Sequence, residues 1–182
     1  MTLKDLNIDN SWTLFLDRDG VINKKLENDY VKHTTEFEFI DGTLNALRML
    51  DSMFKTIVVV TNQQCIGKKI IFPEDLELIH KNMLYEITYL KGRIDKVYYS
   101  PYLASENHPT RKPGIGMALQ AQKDFPDIDF SKSIIVGDSM SDMEFGRNAG
   151  MKTVYISDEA KIDERIDFNF KSLIYFAHSL TQ

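Results

Sequence analysis

Residues 12–20 read WTLFLDRDG, a short apolar run that is followed directly by the carboxylates of Asp17 and Asp19. This pattern indicates a buried strand with polar residues at its end. The same change to polar residues follows the apolar runs that lead into residues 61–63 and 137–138. Runs that are apolar at nearly every position are typical of parallel strands buried on both faces. With two further runs rich in β-branched and aromatic residues, they predict five strands. The predicted strands are 12–16, 56–60, 96–99, 133–136 and 153–156.

Helical patterns separate these strands. Asp41 is the predicted cap of a first helix, and Pro73 opens a longer second one. Pro113 suits the first turn of a third helix, and a fourth is expected at about 139–149 with Gly150 as its C-terminal stop. Strands that alternate with helices imply right-handed crossovers. The predicted fold class is therefore α/β, with a doubly wound parallel sheet.

Composition excludes several classes of protein. The chain has 182 residues, 43% hydrophobic and 27% charged, which is typical of a globular protein and fits a single domain over 1–182. Residues 20–40 break the strand–helix alternation and are predicted to form a small flap. The net charge of −5, without a basic stripe, predicts no nucleic-acid partner. Neither a membrane-spanning run nor a secretory signal is evident, so a cytoplasmic protein is expected, of a size that allows a monomer.

The carboxyl ends of the strands carry the chemistry, because ligands of open α/β sheets bind beyond those ends. Asp17 and Asp19 lie two residues apart, and carboxylates so close repel each other unless they share a cation or a proton. Asp138 adds a third carboxylate, a set that suits Mg²⁺. Each of these residues also has a simpler explanation when it is taken alone. Asp138 would be a helix cap, Thr61 an ordinary threonine at a strand end, and Lys112 a solvated surface charge. Their convergence at consecutive strand ends favours a common site.

The same edge offers groups that suit phosphate. The Thr61 hydroxyl, with the backbone N–H groups of Asn62 and Gln63, can hold phosphate oxygens. Lys112 can neutralise charge on a phosphate and on the carboxylates. Arg111 can grip a second phosphate, although a simple surface arginine explains it nearly as well.

Four motifs resemble those of the haloacid dehalogenase superfamily of phosphatases. FLDRDGVIN at 15–23 is similar to the first motif, VTNQ at 60–63 to the second, RKP at 111–113 to the third and VGDSMSDMEFGRNAG at 136–150 to the fourth. The resemblance covers about residues 12–156 and implies a Rossmann-like fold of this superfamily with a minimal cap. Within the superfamily, the chain is similar to the small-cap group of heptose 1,7-bisphosphate 7-phosphatases and histidinol-phosphate phosphatases. DYVKHTTEFEFIDG at 29–42 and IDKVYYSP at 94–101 resemble the heptose enzymes most.

The resemblance implies a mechanism. Asp17 is expected to attack phosphorus and form an aspartyl-phosphate, and Asp19 to act as the general acid and then the general base. Mg²⁺ is expected on the side chains of Asp17 and Asp138 and the backbone carbonyl of Asp19. Thr61 and Lys112 would stabilise the transferring phosphoryl group.

It also implies supporting and substrate contacts. Asp142 is expected to orient Lys112 or a metal-bound water. Substrate contacts fall on Asn62, Gln63, Arg111, Asp29 and Tyr30.

The sequence departs from the pattern at two places. Ser100 stands where many relatives carry a zinc-binding cysteine, so a structural zinc is predicted to be absent. Cys65 replaces a glycine that is frequent after the second motif. The expected substrate is a small phosphorylated metabolite, foremost heptose 1,7-bisphosphate. Two alternative substrates are histidinol phosphate, a cationic compound that the acidic residues Glu27 and Asp29 would suit, and another small metabolite. Two alternative functions are a phosphoryl-receiver protein and a non-catalytic phosphate-binding module.

Overall fold

The computed structural model describes residues 3–181, and its centre is a parallel sheet. Its strands are β1 (Thr13–Leu16), β2 (Thr56–Asn62), β3 (Lys96–Ser100), β4 (Ser133–Gly137), β5 (Lys152–Ile156) and β6 (Phe168–Phe170). They lie in the order β3-β2-β1-β4-β5-β6. The α/β class and the five predicted strands are confirmed. The sixth strand was not predicted, because three residues are too few to show a pattern.

Within residues 3–181, five α-helices connect and cover the sheet: α1 (Thr43–Asp51), α2 (Pro73–Tyr89), α3 (Gly116–Asp124), α4 (Met140–Ala149) and α5 (Leu173–Thr181). Two predicted start signals are wrong. Gly42, in the left-handed conformation at φ 82°, takes the N-cap position of α1 instead of Asp41. Pro113 lies before α3 and not in its first turn, after a cis peptide bond from Lys112.

The core has two layers because successive residues of each strand face opposite sides of the sheet. Leu14 and Leu16 pack in one layer beneath α1, α2 and α5, whereas Phe15 packs in the other beneath α3 and α4. The helix α5, which the sequence reasoning missed, contributes buried Leu173 and Phe176 to the first layer. Both faces of the central strands are therefore covered by helices, and the candidate reactive side chains lie at the ends of these strands.

The parallel register brings the polar residues together. Leu16 of β1 lies beside Val59 of β2 and Val136 of β4. The chain therefore leaves all three strands at the same edge, where Asp17 and the residues that follow Val59 and Val136 meet.

Residues 20–40 contain two parts that differ in burial. Val21, Ile22 and Asn23 are buried, and Asn23 forms isolated β-bridges with Asp19 and Phe39. Most of residues 24–30, by contrast, is exposed. The predicted flap thus has an anchored base and an exposed arm beside the edge of the sheet.

No helix between residues 3 and 181 combines the length and the hydropathy that a bilayer crossing requires.

Close packing of α4 on the sheet requires glycine at position 146. A methyl group there would lie 2.4 Å from Cγ2 of Ile135 and 2.7 Å from Cγ2 of Thr153. We therefore expect Gly146→Ala to lower the free energy of unfolding by about 1–3 kcal/mol, measured by urea denaturation. Glu144→Ala on the same helix is the control and should change it by less than about 0.5 kcal/mol. Equal stability of Gly146→Ala and the wild type would contradict this account.

Candidate active site

A cavity of about 260 Å³ lies at the carboxyl edge of the sheet. It is lined by predicted site residues from three strand ends, from the flap and from the loop before α3. They are Asp17, Asp19, Asp29, Tyr30, Thr61, Asn62, Arg111, Lys112 and Asp138. The lining also includes Lys25, which was not among the predicted site residues.

A buried ammonium group joins two carboxylates on the floor of this cavity. Nζ of Lys112 lies 2.9 Å from Oδ1 of Asp17 and 2.5 Å from Oδ1 of Asp142. It also donates a hydrogen bond to the carbonyl oxygen of Val60 at 2.8 Å. Burial by itself lowers the pKa of Lys112, but Asp142 and Asp17 outweigh it and hold that pKa above its usual range. Lys112 therefore stays protonated.

Asp142 is fixed by the helix that carries it. The backbone N–H and the hydroxyl of Ser139, the N-cap of α4, both donate to Oδ2 of Asp142, at 3.1 and 2.6 Å. This leaves Oδ1 for Lys112, one of the two partners that the sequence suggested for Asp142. The capping arrangement of α4 thus orients the lysine of the cavity.

Three carboxylates form a site with the chemistry of a hard-cation site. Ligand oxygens of Asp17, Asp138 and Asp142 lie within 4.8 Å of one another. Oδ1 of Asp138 is buried and accepts no hydrogen bond from any of residues 3–181. Burial and the nearby charges of Asp142 and Asp138 raise the pKa of Asp17 to about 7, against the effect of Lys112. A divalent cation would relieve this repulsion, so the residues fit Mg²⁺.

The Asp19 carboxylate has a different environment, although it is two residues from Asp17. It accepts hydrogen bonds from Nη2 of Arg18 at 2.9 and 3.0 Å, from Asn23 at 2.9 Å and from Gln63 at 2.7 Å. Burial raises the pKa of Asp19, but Arg18 and these hydrogen bonds outweigh it and lower the pKa below its usual value. The roles of Arg18 and Asn23 were missed. One feature of the sequence could have pointed to these roles: Arg18 and Asn23 are polar residues within a buried stretch, and buried polar groups need hydrogen-bond partners.

Gln63 was predicted to contact the substrate, but it is not among the residues that line the cavity. Its backbone N–H donates to the carbonyl oxygen of Ser100 at 2.8 Å, so the pairing of β2 with β3 uses the group expected to hold phosphate. Its side chain donates to Thr61 and to Asp19. Gln63 thus supports two residues that line the cavity, and its contact with substrate stays a prediction.

Asn62 connects β2 with the loop that carries the lysine. Its side-chain amide donates to the carbonyl oxygen of Lys112 at 3.1 Å, and its Oδ1 accepts from the N–H of Lys112 at 3.0 Å. The second motif thus fixes the backbone of the third. Asn62 still lines the cavity, so this role does not exclude contact with a ligand.

The rim of the cavity carries both charge signs. Nζ of Lys25 donates to Oδ2 of Asp138 at 2.7 Å, and the Arg111 guanidinium donates to the carbonyl oxygen of Tyr102. Exposed Asp29 pairs with Lys32 at 2.6 Å. The Tyr30 hydroxyl, also on the rim, accepts hydrogen bonds from Gln64 and Lys68.

The loop before Arg111 is tied together by side-chain contacts. The Thr110 hydroxyl lies 3.2 Å from that of Ser100 and 2.8 Å from Nδ1 of His108. The His108 ring stacks on Tyr102 with 3.4 Å between the ring centroids. These contacts join the two ends of the loop that was expected to lack zinc. The absence of zinc stays a prediction.

Comparison with known sequences identifies related phosphatases. The model of the polynucleotide kinase 3 phosphatase family matches residues 13–177. A D-glycero-alpha-D-manno-heptose-1,7-bisphosphate 7-phosphatase of Campylobacter jejuni is 37% identical over 88% of this chain and 90% of its own length. An enzyme of the same name from Mycobacterium bovis is 39% identical over 75% of this chain and 72% of its own.

Solved structures give the same grouping. A D,D-heptose 1,7-bisphosphate phosphatase from B. bronchiseptica, complexed with magnesium and phosphate, superposes with a TM-score of 0.85 at 25% identity. The match covers 94% of this chain and 98% of that one. A HAD-like phosphatase from Mesorhizobium loti reaches a TM-score of 0.80 at 27% identity, over 94% and 87% of the two chains.

Crowding of the carboxylates predicts that Asp17→Asn stabilises the protein in magnesium-free buffer. The pKa of Asp17 lies above its unfolded value of 3.8, so the folded chain keeps a proton that the unfolded chain loses. Wild-type stability therefore falls as the pH rises from about 4 to about 7, by up to about 1.4 kcal/mol per pH unit. Asp17→Asn removes this loss, and we expect a gain of about 2 kcal/mol or more at pH 8 in urea denaturation.

The control for this measurement is Asp158→Asn at an exposed loop position, which should follow the wild type at every pH. A stability difference between Asp17→Asn and the wild type that does not change between pH 4 and pH 8 would contradict the account.

Proposed function

The chain belongs to the polynucleotide kinase 3 phosphatase family of haloacid dehalogenase-like phosphatases, and on this basis we propose that it removes the 7-phosphate of D-glycero-D-manno-heptose 1,7-bisphosphate. The observation that carries the proposal is the Asp17 carboxylate on the floor of the cavity, 2.9 Å from the Lys112 ammonium and beside Asp138. A carboxylate nucleophile beside fixed positive charge suits attack on a phosphate ester.

In the first step, an oxygen of Asp17 forms a bond to phosphorus as the bond from phosphorus to the sugar oxygen breaks. Asp19, which is ionised in the free protein, takes up a proton when the phosphate ester is bound and gives it to the departing sugar oxygen. Lys112 and the Thr61 hydroxyl stabilise the negative charge on the phosphoryl oxygens. The product is an aspartyl-phosphate on Asp17 and a free sugar hydroxyl.

In the second step, Asp19 takes a proton from a water molecule, which attacks phosphorus and releases inorganic phosphate and the Asp17 carboxylate. The hydrogen bonds from Arg18, Asn23 and Gln63 hold the Asp19 carboxylate in place for both transfers.

The side chains of Asp17 and Asp138 and the backbone carbonyl of Asp19 would hold Mg²⁺, with Asp142 as a neighbouring carboxylate. When bound, this ion neutralises the carboxylates and polarises the phosphate.

The sugar bisphosphate is favoured by the names of the relatives and by the charges of the rim. Lys25 and Arg111 line the cavity, and both can bind the second phosphate of a bisphosphate. A cationic substrate such as histidinol phosphate would need free carboxylates on the rim, but Asp29 is already paired with Lys32.

We further propose that the protein acts as a cytoplasmic monomer. We also propose that it has no nucleic-acid partner, which agrees with its net charge of −5.

Phosphate release with Mg²⁺ tests the function directly, with heptose 1,7-bisphosphate, histidinol phosphate and common sugar phosphates as substrates. We expect heptose 1,7-bisphosphate to be preferred by about 100-fold or more in kcat/KM, or about 2.7 kcal/mol of differential transition-state binding. Asp17→Asn should abolish release, whereas the exposed variant Asp158→Asn should keep it. A preference for histidinol phosphate would replace the proposed substrate. No release from any substrate would support a binding module instead.

Removal of the Arg111 guanidinium should weaken the bisphosphate selectively. A charge-assisted hydrogen bond contributes about 1.5–3 kcal/mol, so Arg111→Ala should raise KM for heptose 1,7-bisphosphate by about 10-fold or more. KM for heptose 7-phosphate should change little. Arg48→Ala on the exposed face of α1 is the matched control. An equal loss on both substrates would place Arg111 outside the subsite for the second phosphate.

A further inference from the structure

Arg18 lines the cavity, but its side chain is almost completely buried. Its guanidinium is 1% exposed, and its Nη2 donates to both oxygens of Asp19. On the opposite side, Nη1 lies 3.0 Å from Nε2 of His80. Its Nε has no hydrogen-bond partner among residues 3–181. Arg18 is therefore held between one carboxylate and one imidazole.

The contact with Arg18 determines the protonation state of His80. A guanidinium has only donors, so Nε2 of His80 must accept, and the imidazole is neutral with its proton on Nδ1. Burial and the charge of Arg18 lower the pKa of His80 to about 3, against the effect of Asp19. His80 therefore acts as a hydrogen-bond acceptor at neutral pH.

The backbone of His80 belongs to a regular helix packed on the core. His80 lies in the first half of the 17-residue helix α2, next to buried Ile79 and one turn before buried Met83. Its ring is tilted against that of Tyr99, with 6.2 Å between the centroids. The imidazole therefore has a defined position relative to the sheet, which is what a residue that orients another must have.

We infer that His80 is a positioning residue for proton transfer, acting through Arg18 on the Asp19 carboxylate. This inference rests on the proposed function, in which Asp19 protonates the leaving oxygen. Without the acceptor on His80, Nη1 of Arg18 is buried and unpaired, so the guanidinium must turn to find another partner. The Asp19 carboxylate then loses the geometry in which Nη2 holds both of its oxygens, and misplaced catalytic groups transfer protons slowly.

Leaving groups distinguish this role from a general structural one. A sugar alkoxide needs a proton as it departs, whereas 4-nitrophenolate leaves without one. The parameter kcat/KM covers the steps up to cleavage of the bond from phosphorus to the leaving oxygen. We expect His80→Leu to lower kcat/KM about 10- to 100-fold with the preferred sugar phosphate, and no more than about threefold with 4-nitrophenyl phosphate. Asp19→Asn should give a larger difference of the same kind.

Conservative variants complete the test. The amide oxygen of Gln can accept a hydrogen bond from Arg18, so His80→Gln should recover most of the activity with the sugar phosphate. His80→Phe keeps an aromatic ring without the acceptor, and should repeat the effect of His80→Leu if that variant fails to fold. Thermal unfolding identifies the variants that are folded.

Each contrary result has a separate meaning. The decisive variants are folded His80 variants that lack the acceptor. The inference is overturned if such a variant loses kcat/KM equally with the sugar phosphate and with 4-nitrophenyl phosphate, or loses it with neither. It is also overturned by a His80→Gln variant that is as slow with the sugar phosphate as His80→Phe. If Asp19→Asn shows no dependence on the leaving group, the proposed role of Asp19 fails, and the inference fails with it. If Asp19→Asn shows that dependence and the His80 variants do not, only the inference fails.

Discussion

One buried ammonium group between two carboxylates is the interaction on which the rest of this site depends. Lys112 lies within 2.9 Å of Asp17 and 2.5 Å of Asp142, and Asp138 is the next carboxylate of the cluster. A buried charge without a partner is strongly destabilising, so the Lys112 ammonium needs a neighbouring carboxylate such as Asp142. The local structure serves this pair: Ser139 orients Asp142, and Asn62 fixes the backbone of Lys112. The carboxylates of Asp17, Asp138 and Asp142 would suit a divalent cation, which would neutralise part of their charge.

Two carboxylates that lie two residues apart in one motif have opposite electrostatic environments. Asp17 is surrounded by other carboxylates and has a raised pKa, whereas Asp19 accepts hydrogen bonds from Arg18, Asn23 and Gln63 and has a lowered pKa. Environments that push the pKa values of two acids apart are typical of sites where the acids have different roles. Asp17 faces the cavity, where a divalent cation would lower its pKa and leave it ionised as a nucleophile, whereas Asp19 is held from behind by its hydrogen bonds. The network behind Asp19 extends to α2 through Arg18 and His80.

The parallel sheet makes this arrangement possible. Three strands end at one edge in register, so residues far apart in sequence reach the cavity without long loops. The flap adds Lys25 and Tyr30 from one side, and the loop before α3 adds Arg111. Apart from Lys112, which lies on the loop before α3, the groups proposed to do chemistry follow strand ends, while Lys25 and Arg111, proposed to bind the second phosphate, lie on connecting segments. This division is common in enzymes because segments at the surface can vary without loss of the core.

Sequence patterns alone predicted five of the six strands found between residues 3 and 181, the α/β class and the residues at the strand ends. Buried parallel strands such as residues 56–60 have a continuous apolar pattern, and the polar residue after each one marks the functional edge. The role of Asp142 came only from the resemblance to the superfamily, which implied that it orients Lys112 or a metal-bound water, and the structure places it 2.5 Å from Lys112. The helix α5 and the strand β6 were missed, since three residues of strand show no period and α5 is apolar over most of its surface.

Only the tertiary structure decided which way the side chains point. Gln63 was expected to contact phosphate, yet the pairing of β2 with β3 uses its N–H, and its amide turns towards Thr61 and Asp19. Arg18 stands between two carboxylates of the motif, but its partner His80 is 62 residues away in sequence. No local pattern encodes that contact, because it depends on how α2 packs against the sheet. Residue types and spacing determine which chemistry is available at this edge, and the packing of distant elements determines which group each side chain meets.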